Sequence, residues 1–172
     1  MKTIDLFTGQ ARHSAWADAS VLEAILGRPE VELDEYVLAK LRHQFLAQRA
    51  FLDLWRGRQP DHGLTQALDC RALADFAREL HGETIACFNS VRDDELERIV
   101  DLPSKKLMAE RLGFQPGEPT LAETFLQVYA HNTYHRGQVC SRLRELGIEP
   151  PVTDLVVWIW RHRPEPSWSF LF

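Results

Sequence analysis

Long apolar runs are missing from this chain of 172 residues; the longest, Leu155 to Trp160, is far too short to span a bilayer. A secretory signal has no place at the start either, because Met1-Lys2-Thr3-Ile4-Asp5 sets an acid where an apolar run is needed. A cytoplasmic protein is expected. Basic residues are in deficit as well. Twenty Lys and Arg face 25 Asp and Glu, a formal charge of −5 that disfavours a general grip on nucleic acid or on an anionic membrane. Cysteine is scarce: Cys70, Cys87 and Cys140 form an odd set without C-x-x-C spacing, which argues against a disulfide framework and a zinc ribbon and leaves free thiols. Sustained apolar/polar alternation and internal repeats are absent, so neither strands nor a solenoid have a signature. What is present, 45% hydrophobic and 26% charged residues, is the composition of a single folded domain over 1–172.

Helical periodicity fills that domain. A first helix is predicted from Ser14 to Leu26, with Trp16, Ala19, Leu22 and Leu26 on one side and Gly27 and Pro29 ending it. A second is predicted from Asp34 to Arg56. Glu35, Arg42, Arg49, Asp53 and Arg56 form its charged strip, and Leu38, Leu41, Phe45 and Leu52 line the opposite side. A third runs from Gln66 to Val91 with Leu73, Phe76, Leu80, Thr84 and Cys87 at helical spacing. Asp93 to Pro119 reads as a long crossover with at most short pieces of structure, which permits parallel neighbouring helices. Thr120 with Glu123 is a capping box that starts a fourth helix, continuing to Leu146 and stopping at Gly147. Thr153 is placed to cap a short fifth helix, Asp154 to Arg161.

The chemistry concentrates at His131-Asn132-Thr133-Tyr134-His135 on the fourth helix. Residues four apart share a helical face about 6 Å apart along the axis, near enough for two imidazoles to reach one divalent ion. They belong to a polar stripe of Thr124, Gln127, His131, His135, Gln138, Arg142 and Glu145 bordering an apolar flank. A third ligand has to come from elsewhere. His43 ranks first, because it shares a face of the second helix with Tyr36, Ala47, Ala50 and Leu54, away from the charged strip, where a buried imidazole would need a partner. His81 on the polar side of the third helix, His62 in a loop, and His13 and His162 near element ends are read as structural or solvated. Cys140 is turned away from the histidine face.

The string His131-Asn132-Thr133-Tyr134-His135-Arg136-Gly137-Gln138, followed by Leu143-Arg144-Glu145-Leu146-Gly147, resembles the last-helix histidine region of the DinB (damage-inducible) and YfiT-like family of bacterial metalloproteins. Helix order over most of the chain, with Trp16-Ala17 on the first helix, fits as well. The resemblance implies an all-α four-helix bundle with a long crossover connection, plus here a short C-terminal helix. It also implies a divalent metal, Zn or Ni foremost, held by one His on the second helix and two on the last, which fall on His43, His131 and His135.

Three neutral imidazoles leave a coordination position open, the mark of a catalytic ion beside which a thiol or water loses its proton near neutral pH. The family resemblance extends this to metal-dependent transfer of a low-molecular-weight thiol onto an electrophilic small molecule. The alternatives are a non-catalytic metal-binding stress-response bundle and a metal-dependent hydrolase. Gln138 is placed to orient a ligand, and Arg142 to meet a carboxylate of the thiol or to pair with an acid such as Glu145. Arg136 reads as a pairing or interface residue, and Gly137 as a point of close approach by a helix or subunit. With the aromatic tail of Trp168, Phe170 and Phe172, free to pair or to fold back on its own bundle, Gly137 points to a homodimer.

Overall fold

Seven α-helices make up the regular structure of this computed structural model, which describes residues 2–103 and 105–171. They are α1 (Thr3–Ile25), α2 (Pro29–Glu32), α3 (Glu35–Trp55), α4 (Cys70–Ser90), α5 (Lys105–Leu112), α6 (Leu121–Glu145) and α7 (Leu155–Trp160). Among the described residues there is no strand, only an isolated bridge between Ile99 and Thr120. The four long helices close a ring, α3 against α6, α6 against α1, α1 against α4 and α4 against α3. This is the expected all-α four-helix bundle.

The helix starts show which signals are local. Asp34 caps α3 by accepting the Val37 N–H at 2.9 Å, and Thr120 and Glu123 complete their capping box at 3.2 and 2.7 Å. Gly147, at φ +78°, takes the left-handed conformation that ends α6. By contrast α4 begins at Cys70, not Gln66, because Asp69 holds the Ala72 N–H at 2.8 Å. The larger correction concerns α1, which begins at Thr3 and not at Ser14. Ile4, Phe7 and Ala11 extend its apolar face backwards. Its first N–H groups are satisfied by Asp93, which accepts from Thr3 and Ile4 at 3.3 and 2.9 Å from the far side of the sequence. Thr153 does not cap α7. Asp154 holds that position, and the Thr153 carbonyl instead accepts from His13 Nε2 at 2.8 Å.

An aromatic knot fixes one end of the bundle with one ring from each long helix. Phe125 stacks on Phe88 at 4.0 Å and meets Trp55 and Phe7 edge-on at 4.6 and 5.5 Å. Each ring contributes about 1.5–3 kcal/mol through burial. Trp55 Nε1 also donates to Thr124 Oγ1 at 3.0 Å, and at the far end Arg142 pairs with Asp34 at 2.8 Å, so α3 and α6 run antiparallel in a register held at both ends. Contacts of Arg49 with Glu83 (2.9 Å) and of Trp55 with Phe88 (5.4 Å) set α4 parallel to α3.

The chain must therefore return the length of the bundle between α3 and α4. By Thr65 and Leu68 it is already level with Arg42, whose carbonyl accepts from Thr65 and whose guanidinium reaches the Leu68 carbonyl at 2.8 Å. The lengthwise crossover is thus the segment from Gly57 to Asp69. The expected one, Asp93 to Pro119, stays at the aromatic end, where Arg98 contacts the Trp55 carbonyl and Leu121 donates to the Arg98 carbonyl. Extended chain covers about 3.3 Å per residue against about 1.5 Å in a helix, so the shorter loop suffices.

The C-terminal tail folds back on its own bundle. Trp168 and Phe170 pack against the core, Leu171 is buried, and Arg71 donates to the Leu171 carbonyl. Phe172 lies outside the described residues. Trp158 of α7 is buried against Trp16 and Ala17. No described helix is long and apolar enough to cross a membrane.

Candidate metal centre

The antiparallel register of α3 and α6 sets His43 opposite the pair His131 and His135. The Nε2 atoms of His43 and His131 are 3.1 Å apart, and the His135 ring lies 4.7 and 4.4 Å from the other two. One potential ligand atom from each of the three falls within 4.8 Å of the others. His135 is buried, His131 half-buried, and His43 exposed. The expectation of a buried His43 is corrected here. The face of α3 that carries it, with Tyr36, is an open rim. It is the charged strip that is partly covered instead, because Arg49 and Arg56 reach Glu83 on α4 and Asp53 is only 5% exposed.

Hydrogen bonding prepares one of these imidazoles, that of His135, as a neutral donor. His135 Nδ1–H donates to Gln138 Oε1 at 2.8 Å, which leaves the lone pair on Nε2 available to an ion. Burial pushes the His131 pKa down to about 4, with His135 and His43 adding to the effect. The His135 pKa is also lowered, first by burial, and no carboxylate is among the groups that shift either ring. Atoms about 2.0–2.1 Å from one tetrahedral ion lie about 3.3–3.4 Å apart, so the 3.1 Å pair already matches and the third ring has less than about 1.5 Å to close. The donor set fits a divalent ion.

Arg142 does not face these rings freely. Its Nε and Nη2 donate to Asp34 at 3.1 and 2.8 Å and its Nη1 to Glu145 at 2.8 Å, the acid pairing that was one of its two readings.

Arg136, on the inner side of α6, anchors a polar network that the sequence did not reveal. Asp18, 3% exposed, accepts from Arg136 Nη1 at 2.9 Å, from His81 Nε2 at 3.0 Å and from Gln44 Nε2 at 2.9 Å. Asn132 donates to Gln48 Oε1 at 2.6 Å, and Gln48 Nε2 donates to Thr84 at 3.0 Å and faces His81 Nδ1 at 3.4 Å. Four helices are thereby tied through their core. His81 is thus interior, not on a solvated polar side. His13 is likewise mid-helix and buried, bonded to Thr153 and 3.4 Å from the Tyr129 hydroxyl. The hints of this network were the pairing role read for Arg136, which its bond to Asp18 bears out, and the presence of Asp, Gln and Asn at otherwise apolar helical positions.

Gly137 meets no close neighbour: a Cβ there would find no heavy atom within 4 Å beyond its chain neighbours and the local backbone of α6. It lines a cleft of about 480 Å³ between α6 and the segment 149–155, on the other side of α6 from His135, so the expected close approach does not occur within the chain. The cysteines are free and buried, and burial drives the Cys70 thiol up to about 12.

Comparison with known families agrees with this geometry. The sequence pattern of the DinB family matches residues 35–166, which takes in α3, α4, α6 and all three histidines, and the chain belongs to that family. No curated protein matches it.

Proposed function

We propose that this DinB family protein is a metal-dependent transferase that activates a low-molecular-weight thiol at His43, His131 and His135. The observation that carries the reading is the asymmetry of the trio: His135 is buried and fixed by Gln138, while His43 stands exposed on an open rim. A site built only to sequester an ion would close over it. This one leaves a side open to a small molecule.

A bound divalent ion supplies Lewis acidity there, lowering the pKa of a thiol or water beside it. The chain supplies three neutral nitrogens, with Gln138 fixing the tautomer of His135, and none of its own cysteines stands close enough to compete. Zn or Ni suits such a set, and the free buried thiols suit a reducing cytoplasm.

The test is thiol-dependent consumption of an electrophile by metal-loaded protein, with activity lost on chelation and restored by Zn or Ni. Loss of the electrophile without any thiol requirement would indicate hydrolysis. No metal-dependent rate across a panel of thiols and electrophiles, with the ion retained, would indicate a non-catalytic metal-binding bundle. We also propose a homodimer, formed where Gly137 opens the cleft beside α7 and Trp160 is 72% exposed. With the tail folded back, that face alone carries the proposal, and a monomer in sedimentation at micromolar concentration would refute it.

A further inference from the structure

The rim beside the three histidines holds one more charged group. Lys40 lies one turn before His43 on α3, and its charge acts on the His135 imidazole. Its Nζ sits 5.1 Å from the centre of the Tyr36 ring, a cation–π contact that holds the amine on this rim. No carboxylate forms an ion pair with Lys40 among the described residues, whereas Arg142 is occupied by two acids, Asp34 and Glu145. The three imidazoles bring no negative charge, so an ion bound to them keeps its full positive charge. With an ion bound, the rim would thus carry net positive charge on a chain whose formal charge is −5, and Lys40 is its cation free of an ion pair.

We propose that Lys40 selects the substrate, binding a carboxylate carried by the thiol a few bonds from its sulfur. This rests on the thiol-transfer reading above and names the class of thiol. Lys40 is then a specificity residue. It holds the anionic end of the molecule while the sulfur faces the histidines, and it moves no proton. A half-buried surface cation of this kind separates two ligands by a modest factor, about three- to fivefold.

The experiment uses the full chain loaded with Co(II), whose sulfur-to-cobalt absorption reports thiol binding without turnover. 3-Mercaptopropionate and uncharged 2-mercaptoethanol are titrated against wild type, Lys40→Met, which keeps the apolar stem, and Lys40→Arg, which keeps the charge. Wild type is expected to favour 3-mercaptopropionate by about three- to fivefold. Lys40→Met should lower the ratio clearly with Co(II) stoichiometry and 2-mercaptoethanol binding unchanged, and Lys40→Arg should restore it. An unchanged ratio in Lys40→Met overturns the role of Lys40 and leaves the thiol reading standing. Absence of the absorption with either thiol, in protein that binds Co(II), overturns the thiol reading and this inference together.

Discussion

Replacing Arg136 by methionine keeps an unbranched apolar stem on α6 but strips Asp18 of its guanidinium partner. The carboxylate is 3% exposed and would be left with His81 Nε2 at 3.0 Å and Gln44 Nε2 at 2.9 Å. Removing one member of a buried ion pair costs about 3–5 kcal/mol, because the other charge stays desolvated. In a domain of this size each kcal/mol moves the thermal midpoint by about 2–4 °C, so a fall of about 6–20 °C is expected by circular dichroism. The pH dependence gives a second readout. Burial, the largest influence on Asp18, raises its pKa, but Arg136 and then His81 together outweigh it and hold the group below its ordinary value of 3.8. The stability this contributes is present above pH 3.8 and is lost as the pH falls through the folded value. Without Arg136 the Asp18 pKa rises, and acid unfolding should begin at higher pH. Asp18→Asn leaves Arg136 unpaired and should cost a similar amount, while the double variant should cost clearly less than both losses added. A loss under about 1 kcal/mol in Arg136→Met, or simple additivity, would refute the reasoning.

Gln138→Leu frees His135 to choose its tautomer and should weaken metal binding by about 10- to 100-fold in calorimetric titration with the fold intact; unchanged affinity would remove Gln138 from the site. Metal-free protein should lose stability as the pH falls from 6.5 toward about 4, since His131 stays neutral when folded and charges when unfolded; urea midpoints flat over that window would contradict its lowered pKa. Asp34→Ala removes both the cap on α3 and the anchor of Arg142, and should cost at least the usual cap loss of about 0.5–2 kcal/mol; an unchanged thermal midpoint would show that neither contact contributes.

Much of this architecture was legible because its signals are short-range. Asp34, Thr120 with Glu123, and Gly147 bound α3 and α6 through contacts within a few residues, and those two helices lie nearly as predicted. The start of α1 was not legible, because Asp93 caps it from across the sequence. The route of the crossover was hidden for a related reason. Loop length alone does not say which end of the bundle a connection visits, and the contact of Arg42 with the Leu68 carbonyl that settles it is tertiary.

The histidines repeat this division on a smaller scale. His131 and His135 share a face by helical spacing alone, whereas the placement of His43 depends on the axial register of α3 against α6, which the aromatic knot and the Asp34–Arg142 pair hold at opposite ends. Periodicity put His43 on the side of α3 away from the charged strip, and that was sound. It misjudged the burial of both sides, because Arg49 and Arg56 lie against Glu83 while Tyr36 and His43 face outward. The HRGQ string then divides by face. His135 and Gln138 serve the open rim, and Arg136 turns inward to Asp18 and holds α6 against α1. A single turn of α6 thus sets the site and ties it to the core, so substitution at Arg136 should lower stability first and metal binding only as the helix loosens.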